Sequence, residues 1–229
     1  MSTLYIVATP IGNLKDISFR AIEILKSVDC ILCEDTRTTK VLLKTYDISV
    51  PTMSYHAQSA LSRTDEICEM LREGKNLALV SDAGTPCISD PGSALVSLIR
   101  KTFTEDEVQV VPIPGASAFV TLLSAGGINT SEFIFLGFLP HKKGRETLFK
   151  EIASSSRTMI FYESPHRILK TLTSLANVLA DSSRKVLVGR ELTKMFEQII
   201  SGTASEMLAY FEKNTDKVRG EFVVAVEAK

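Results

Sequence analysis

Polar residues, glycines and prolines collect in a few short strings, each set after an apolar run. Thr9-Pro10-Ile11-Gly12-Asn13-Leu14 follows residues 4–8, Glu34-Asp35-Thr36-Arg37 closes a second run, and a third string follows residues 77–80. That third string, Ser81-Asp82-Ala83-Gly84-Thr85-Pro86-Cys87-Ile88-Ser89-Asp90-Pro91-Gly92, holds two glycines, two prolines and two aspartates in twelve residues. Proline fixes φ, and glycine lets the backbone come close to a ligand, so such a loop can present main-chain groups to a small molecule. Read alone, it is equally a turn feeding a helix, with Ser89 or Asp90 as the cap. Its company with other strand-end strings favours a binding site. Several standard chemistries lack their marks: there is no G-x-G-x-x-G after the first run, no P-loop, no H-E-x-x-H and no G-x-S-x-G. His56, His141 and His166 are scattered, and no metal-ligand spacing is seen, so no metal is expected.

The elements that must position these strings follow from hydrophobic periodicity. The first half reads strand 4–8, helix 18–28 with Ala21, Ile22, Leu25 and Val28 on one face and Asp16 as cap, strand 31–34, and helix 38–46. A short strand 52–55, a helix 60–73, a strand 77–80, a helix ending near 102 and a strand 108–113 follow. This βαβα order predicts a parallel sheet with ligands at the carboxyl ends of its strands. The second half reads helix 116–125, strands 133–136 and 158–163, helix 165–179, strands 186–190 and 196–201, helix 204–211 and strand 222–227. Strands that follow one another with no helix between them predict antiparallel pairing. Pro112-Ile113-Pro114-Gly115 punctuates the change of pattern. The expected fold class is α/β in two domains, a parallel-sheet domain over 1–113 and a mixed-sheet domain over 114–229.

Composition narrows the classes. The 229 residues carry 26 basic and 27 acidic side chains, a net charge of -1, and a hydrophobic fraction of 45 %. A chain of this size can bury about 70 % of its extended surface, enough for one large core or two small ones. Balanced charge gives no overall field for a polyanion, so any nucleic-acid contact must rest on a local basic patch. Cys30 and Cys33 form a C-x-x-C inside an apolar strand pattern, where residues three apart face opposite sides, so they read as buried structural thiols. No signal peptide and no 18-residue apolar stretch is present, so a soluble, cytoplasmic protein with no membrane partner is expected.

The quoted strings, together with Pro114-Gly115-Ala116-Ser117-Ala118, Gly137-Phe138-Leu139-Pro140, Phe161-Tyr162-Glu163-Ser164-Pro165-His166-Arg167, Arg190-Glu191-Leu192-Thr193-Lys194 and Gly220-Glu221-Phe222, resemble the tetrapyrrole methylase superfamily. They are most similar to its ribosomal RNA branch, and they run in order through nearly the whole chain. The resemblance implies a class III methyltransferase that binds S-adenosylmethionine (S-adenosyl-L-methionine) between its two domains. It places Pro10, then Ser81, Asp82, Ala83, Gly84, Thr85 and Ile88, then Ser117, Tyr162 and Glu163, and also Glu221, around that cofactor. It further implies a homodimer that methylates the 2′-hydroxyl of a cytidine in the 16S rRNA of the small ribosomal subunit. Many members of that branch continue into a helical tail, which this sequence does not show after Lys229.

Local charge supports an RNA substrate: Lys142, Lys143 and Arg145 lie within five residues on an expected loop, and Arg167 adds to them. Methyl transfer to a ribose hydroxyl calls for alignment in a water-poor site, plus a base or a cation that favours the alkoxide. The candidates are Asp35, Glu163 and Lys194, with Arg37 and Arg190 as electrostatic partners; each could equally form a structural ion pair. Two other readings stay open, a methyltransferase acting on a tetrapyrrole and a non-catalytic binding module.

Overall fold

The computed structural model describes the backbone of residues 1–56 and 60–229, and the side chains of these except 60–62. The chain divides into two compact units, Met1–Ser117 and Ala118–Lys229. The proline-glycine punctuation therefore stays with the first unit, and the division falls four residues after the one expected at 113.

The first unit is a five-stranded, wholly parallel sheet of β1 (Ser2–Val7), β2 (Cys30–Cys33), β3 (Thr52–Ser54), β4 (Leu77–Val80) and β5 (Val108–Ile113), in the order β3-β2-β4-β1-β5. The runs Cys30-Ile31-Leu32-Cys33 and Leu77-Ala78-Leu79-Val80 are buried throughout because helices cover both faces. On one face α1 (Phe19–Ser27) and α2 (Thr36–Thr45) pack Ala21, Leu25, Leu42 and Leu43 against Val7, Ile31 and Val80. On the other, α3 (Ala60–Arg72) and α4 (Gly92–Thr102) pack Ile67, Leu71, Leu95 and Ile99 against Leu4, Leu32 and Leu79. Cys30 joins the second cluster and Cys33 the first, and both are free thiols, as strand alternation predicts. Neighbouring β1 and β4 thus send their chains to opposite faces, which parts the following loops at the carboxyl edge of the sheet.

Two caps differ from expectation. The α1 cap is Ser18, whose hydroxyl accepts from the Ala21 N–H at 3.1 Å, while Asp16 lies in a short 3-10 turn, Leu14–Asp16, ahead of it. At α4 the cap position is Pro91, which has no side chain to offer. Asp90 compensates from one residue earlier, accepting from the N–H groups of Cys87 at 3.1 Å and Gly92 at 2.6 Å.

The second unit orders β6 (Phe133–Phe138), β7 (Thr158–Glu163), β8 (Val186–Arg190), β9 (Gln198–Gly202) and β10 (Phe222–Val226) as β6-β7-β10-β8-β9. Its helices are α5 (Ala118–Ala125), α6 (Arg145–Ser154), α7 (Ile168–Val178) and α8 (Ala204–Lys213). The pairs around β10 and β8 are antiparallel, but β6 and β7 run parallel. That corrects the antiparallel expectation for β6 and β7. Helix α6, absent from the sequence reading, is the crossover that a parallel pair needs. It buries Phe149 and Ile152, while Glu146, Lys150 and Glu151 face solvent and dilute its apolar signal. Phe161, Phe211 and Phe222 anchor the core between this sheet and α6, α7 and α8. Among the described residues, no helix is long and apolar enough to cross a membrane.

Candidate functional site

The first unit gathers its polar strings by main-chain bonds rather than by charge. Leaving β1, Thr9 pairs with Gly84 in an isolated antiparallel bridge, Thr9 N–H to Gly84 carbonyl at 2.9 Å and Gly84 N–H to Thr9 carbonyl at 3.1 Å. The Thr9 hydroxyl donates to the Ser81 carbonyl at 3.0 Å, and the Ser81 hydroxyl donates to the Gly84 carbonyl at 3.0 Å. Thr85 reaches the loop after β5, donating to the Ala116 carbonyl at 3.0 Å. The loop after β2 joins through the Asp35 N–H, which donates to the Asp82 carboxylate at 3.1 Å. Four strand-end loops are thereby fixed to one another in the unit that carries them.

Close approach explains the small residues. Gly84 has φ +87°, and a Cβ there would stand 3.3 Å from Ile11 Cγ2; at Gly115 a Cβ would stand 2.9 Å from the Ala8 Cβ. Cys87 and Ser89 also take positive φ, of 72° and 58°, so the 81–92 loop is held in conformations that most side chains resist. It leaves Asp82, Ala83 and Ile88 exposed while Ser81, Gly84 and Pro86 are buried. Pro10 is buried as well, beneath the exposed Gly12 and Asn13.

The charge around these loops is negative. Burial, then Asp82 and Asp90, raise the Glu34 carboxyl above its ordinary value. Burial and Asp90 push the Cys87 thiol up to about 11. Asp35 goes the other way: side-chain bonds from Arg37, with the Arg37 N–H, lower it to about 2. Its carboxylate caps α2 and holds the Arg37 guanidinium at 2.7 Å.

The second unit builds the end of β7 differently. The Glu163 carboxylate is fully buried and both oxygens are taken: Oε1 by the Ser164 N–H at 2.8 Å and Arg167 Nη2 at 2.7 Å, and Oε2 by the Thr171 hydroxyl at 2.6 Å. Arg145 donates to that hydroxyl oxygen at 2.7 Å and to the Pro140 carbonyl at 3.2 Å, while Arg167 donates to the Leu139 carbonyl at 2.9 Å. This corrects the place given to Arg145. Buried at the start of α6 and stacked over Phe149, it is no part of an exposed basic loop, whereas His141, Lys142 and Lys143 are exposed. Burial lowers the Arg145 guanidinium, and Glu163 partly restores it. Tyr162 sits edge-on to Phe135 and Phe138 in an aromatic group.

The turn from β8 to β9 is a third construction. Lys194 bridges Glu191 at 2.9 Å and Glu221 at 2.7 Å, and the Glu221 N–H donates to Glu191 at 2.9 Å. Burial opposes the Lys194 charge, but the two carboxylates outweigh it and raise the ammonium above its ordinary value. Arg190 is buried, donating to the carbonyls of Arg219 at 2.9 Å and Phe196 at 3.2 Å. Phe196, expected to open β9, instead forms an exposed tip with Met195 after Glu191 and Thr193 turn the chain through positive φ.

The structure thus joins Pro10, Ser81, Asp82, Gly84 and Thr85 with Asp35 and Arg37 in the first unit. In the second it joins Glu163 with Arg145 and Arg167, and Lys194 with Glu221. Sequence reading missed Thr9, Thr171 and Glu191 as tying residues. Glu191 lay inside a quoted string, but a threonine inside a helix carries no local mark of a carboxylate two turns back. Among the described residues, no three His, Cys, Asp or Glu side chains gather in a metal-holding arrangement.

Comparison with known proteins places this geometry. The family described as Tetrapyrrole (Corrin/Porphyrin) Methylases matches residues 3–208. Proteins named ribosomal RNA small subunit methyltransferase I match at 49 % identity in Bacillus subtilis, over 99 % of this chain and 75 % of that protein, and at 42 % in Thermotoga maritima, over 100 % of both. The solved structure of a cobalt precorrin-4 methyltransferase superposes with a TM-score of 0.71 at 16 % identity, covering 97 % of this chain and 94 % of the other. Diphthine synthase superposes with a TM-score of 0.74 at 14 % identity, over 100 % and 90 %. The two-unit α/β fold and the full-length sequence match agree, and the chain belongs to the tetrapyrrole methylase family.

Proposed function

We propose that this protein methylates ribosomal RNA of the small subunit with S-adenosylmethionine as the donor, at the 2′-hydroxyl of a cytidine in 16S rRNA. The observation that carries the reading is the similarity, over 99 % of this chain, to proteins named for small-subunit rRNA methylation, of which the Bacillus subtilis protein is 49 % identical. The strand-end loops of the first unit support the donor. Gly84 and Gly115 let the loops pack closely against Ile11 and Ala8, and the exposed residues Asp82 and Ala83 offer backbone groups. The carboxylates Glu34, Asp35, Asp82 and Asp90 suit a sulfonium cation rather than a phosphate-bearing nucleotide.

When bound, the donor supplies an electrophilic methyl group. The chain's own residues hold and orient: Pro10, Ser81, Asp82, Ala83, Gly84, Thr85, Ile88 and Ser117 line the donor site in the first unit. Of the three candidates for the hydroxyl proton, Asp35 is held near 2 and Lys194 is held protonated, so neither accepts a proton readily at neutral pH. Lys194, with Arg37 and Arg190, fits the other role, a cation that favours the alkoxide. Glu163 acts by positioning, because both its oxygens are already bonded. Exposed Lys142 and Lys143 meet phosphates, and Arg167 steadies their loop through the Leu139 carbonyl.

The test incubates the purified protein with labelled donor and either small subunits or free 16S RNA, then sizes nuclease fragments by mass spectrometry. One added methyl on a cytidine ribose is the expected result. A methyl on a base, transfer only to a tetrapyrrole, or no transfer to any of these overturns the reading.

A further inference from the structure

Helix α2 carries a surface that the donor site does not use. Arg37, Lys40, Val41 and Lys44 recur at i, i+3, i+4 and i+7 and therefore share one face, and all four are exposed. The opposite face buries Thr39, Leu42 and Leu43 in the sheet. No carboxylate occurs within the helix. Three cations on other helices of this unit are neutralised locally: Arg63 and Arg72 of α3 pair with Glu66 and Glu69, and Arg100 of α4 with Glu105. On α2 only Arg37 is so matched, by the capping Asp35; among the described residues neither Lys40 nor Lys44 makes an ion pair.

The surroundings extend the surface. The Tyr46 hydroxyl donates to the Leu14 carbonyl at 2.6 Å, which fixes the turn after β1 against the end of α2. That turn and the start of α1 add exposed Lys15 and Arg20, together with Phe19, whose side chain is 88 % exposed. Asp16 and Glu23 balance Lys15 and Arg20 in number and the exposed Asp47 follows α2, so the net positive charge of the surface comes from Lys40 and Lys44. A cationic row with an exposed aromatic ring at its margin is a combination that can hold a nucleic-acid backbone and stack an unpaired base. The row starts at the donor loops, since Asp35, which caps α2, is bonded through its N–H to Asp82. From there the helix is about 15 Å long.

We propose that the outer face of α2, with Lys40 and Lys44 at its centre and Phe19 at its margin, is a docking surface for the phosphate backbone of the RNA being methylated. This rests on the RNA substrate proposed above and adds a contact in the first unit, separate from Lys142 and Lys143. An acidic protein surface is the competing occupant, and salt dependence separates the two. Each phosphate contact contributes roughly 0.7 to 0.9 to the slope of log affinity against log salt.

The experiment measures binding of the full chain to purified small subunits over roughly 50 to 200 mM salt, for the wild type and for Lys40→Gln/Lys44→Gln. The slope is expected to fall in magnitude by about 1.4 to 1.8, with affinity reduced about fivefold or more and a larger loss for Lys40→Glu/Lys44→Glu. Calorimetric affinity for S-adenosylmethionine and the melting temperature are expected to match the wild type. An unchanged slope overturns the proposal, whether affinity is retained or lost, because phosphate is then not the contact. Wild-type protein that binds neither subunits nor free 16S RNA overturns the RNA reading itself.

Discussion

The two units solve the same problem, holding loops at strand ends, by opposite means. In the first, Thr9, Ser81, Gly84, Thr85 and Ala116 are joined through hydroxyls and main chain, with no ion pair among them. In the second, the end of β7 is held by a buried carboxylate between two arginines, and the turn after β8 by a lysine between two glutamates. A neutral, close-packed framework leaves the electrostatics to the carboxylates beside it. A charged framework spends its polar groups on its own loops. The family motifs therefore include residues, such as Glu163 and Glu191, that hold loops in place.

The contrast can be broken most sharply at Glu163. Glu163→Ala leaves Arg145 and Arg167 with an uncompensated buried charge and is expected to destabilise the fold by about 3–5 kcal/mol in urea unfolding. Glu163→Gln, which keeps a hydrogen-bonding oxygen, should cost less. A stability loss in Glu163→Ala no greater than that of a surface substitution would show that the network is not structural. Next in size is Gly220, where φ is +87° and a Cβ would fall 2.4 Å from Glu191 Cδ. Gly220→Ala should cost about 1–2 kcal/mol for the left-handed backbone, before any clash, and should loosen Lys194. Arg145 and Lys143 offer a matched pair two residues apart: Arg145→Ala should lower the melting temperature while Lys143→Ala leaves it unchanged and weakens RNA binding. If Lys143→Ala is the one that melts early, the assignment of buried and exposed roles is reversed.

The smallest effect lies in the first unit. The Asp35 carboxyl is lowered from 3.8 to about 2 by Arg37, so its contribution to stability is present above about 4 and is lost as pH falls through about 2. Asp35→Asn retains a capping oxygen but has no charge to lose. Its acid unfolding should lack the component between those values, and an identical acid limb in the two proteins would show that the Arg37 contact contributes nothing in solution.

The legibility of the sequence follows the same division. The first unit was readable because its strands are continuous apolar runs and its loops are rich in glycine and proline; β5 fell on the residues expected, and the four strings met at one edge of the sheet. The second was harder. Helix α6 buries Phe149 and Ile152 among charged neighbours, so its period was faint, and without it β6 and β7 were read as antiparallel. Arg145 looked like Lys142 and Lys143 because three cations in five residues read alike whether exposed or buried. Only its partners, Thr171 and Glu163, which are distant in the chain, distinguish it. Residue type names a charge, and long-range packing decides what the charge is for.

The donor site proposed above rests on the main-chain framework around Gly84. Calorimetric titration of S-adenosylmethionine into the wild type and Gly84→Val tests it most directly, with the unfolding transition of each recorded alongside. Saturable binding by the wild type is expected, with a loss of about tenfold or more in the variant, equivalent to about 1.4 kcal/mol, and a cooperative fold retained. Equal affinity in the two proteins, or no binding by the wild type, would contradict it.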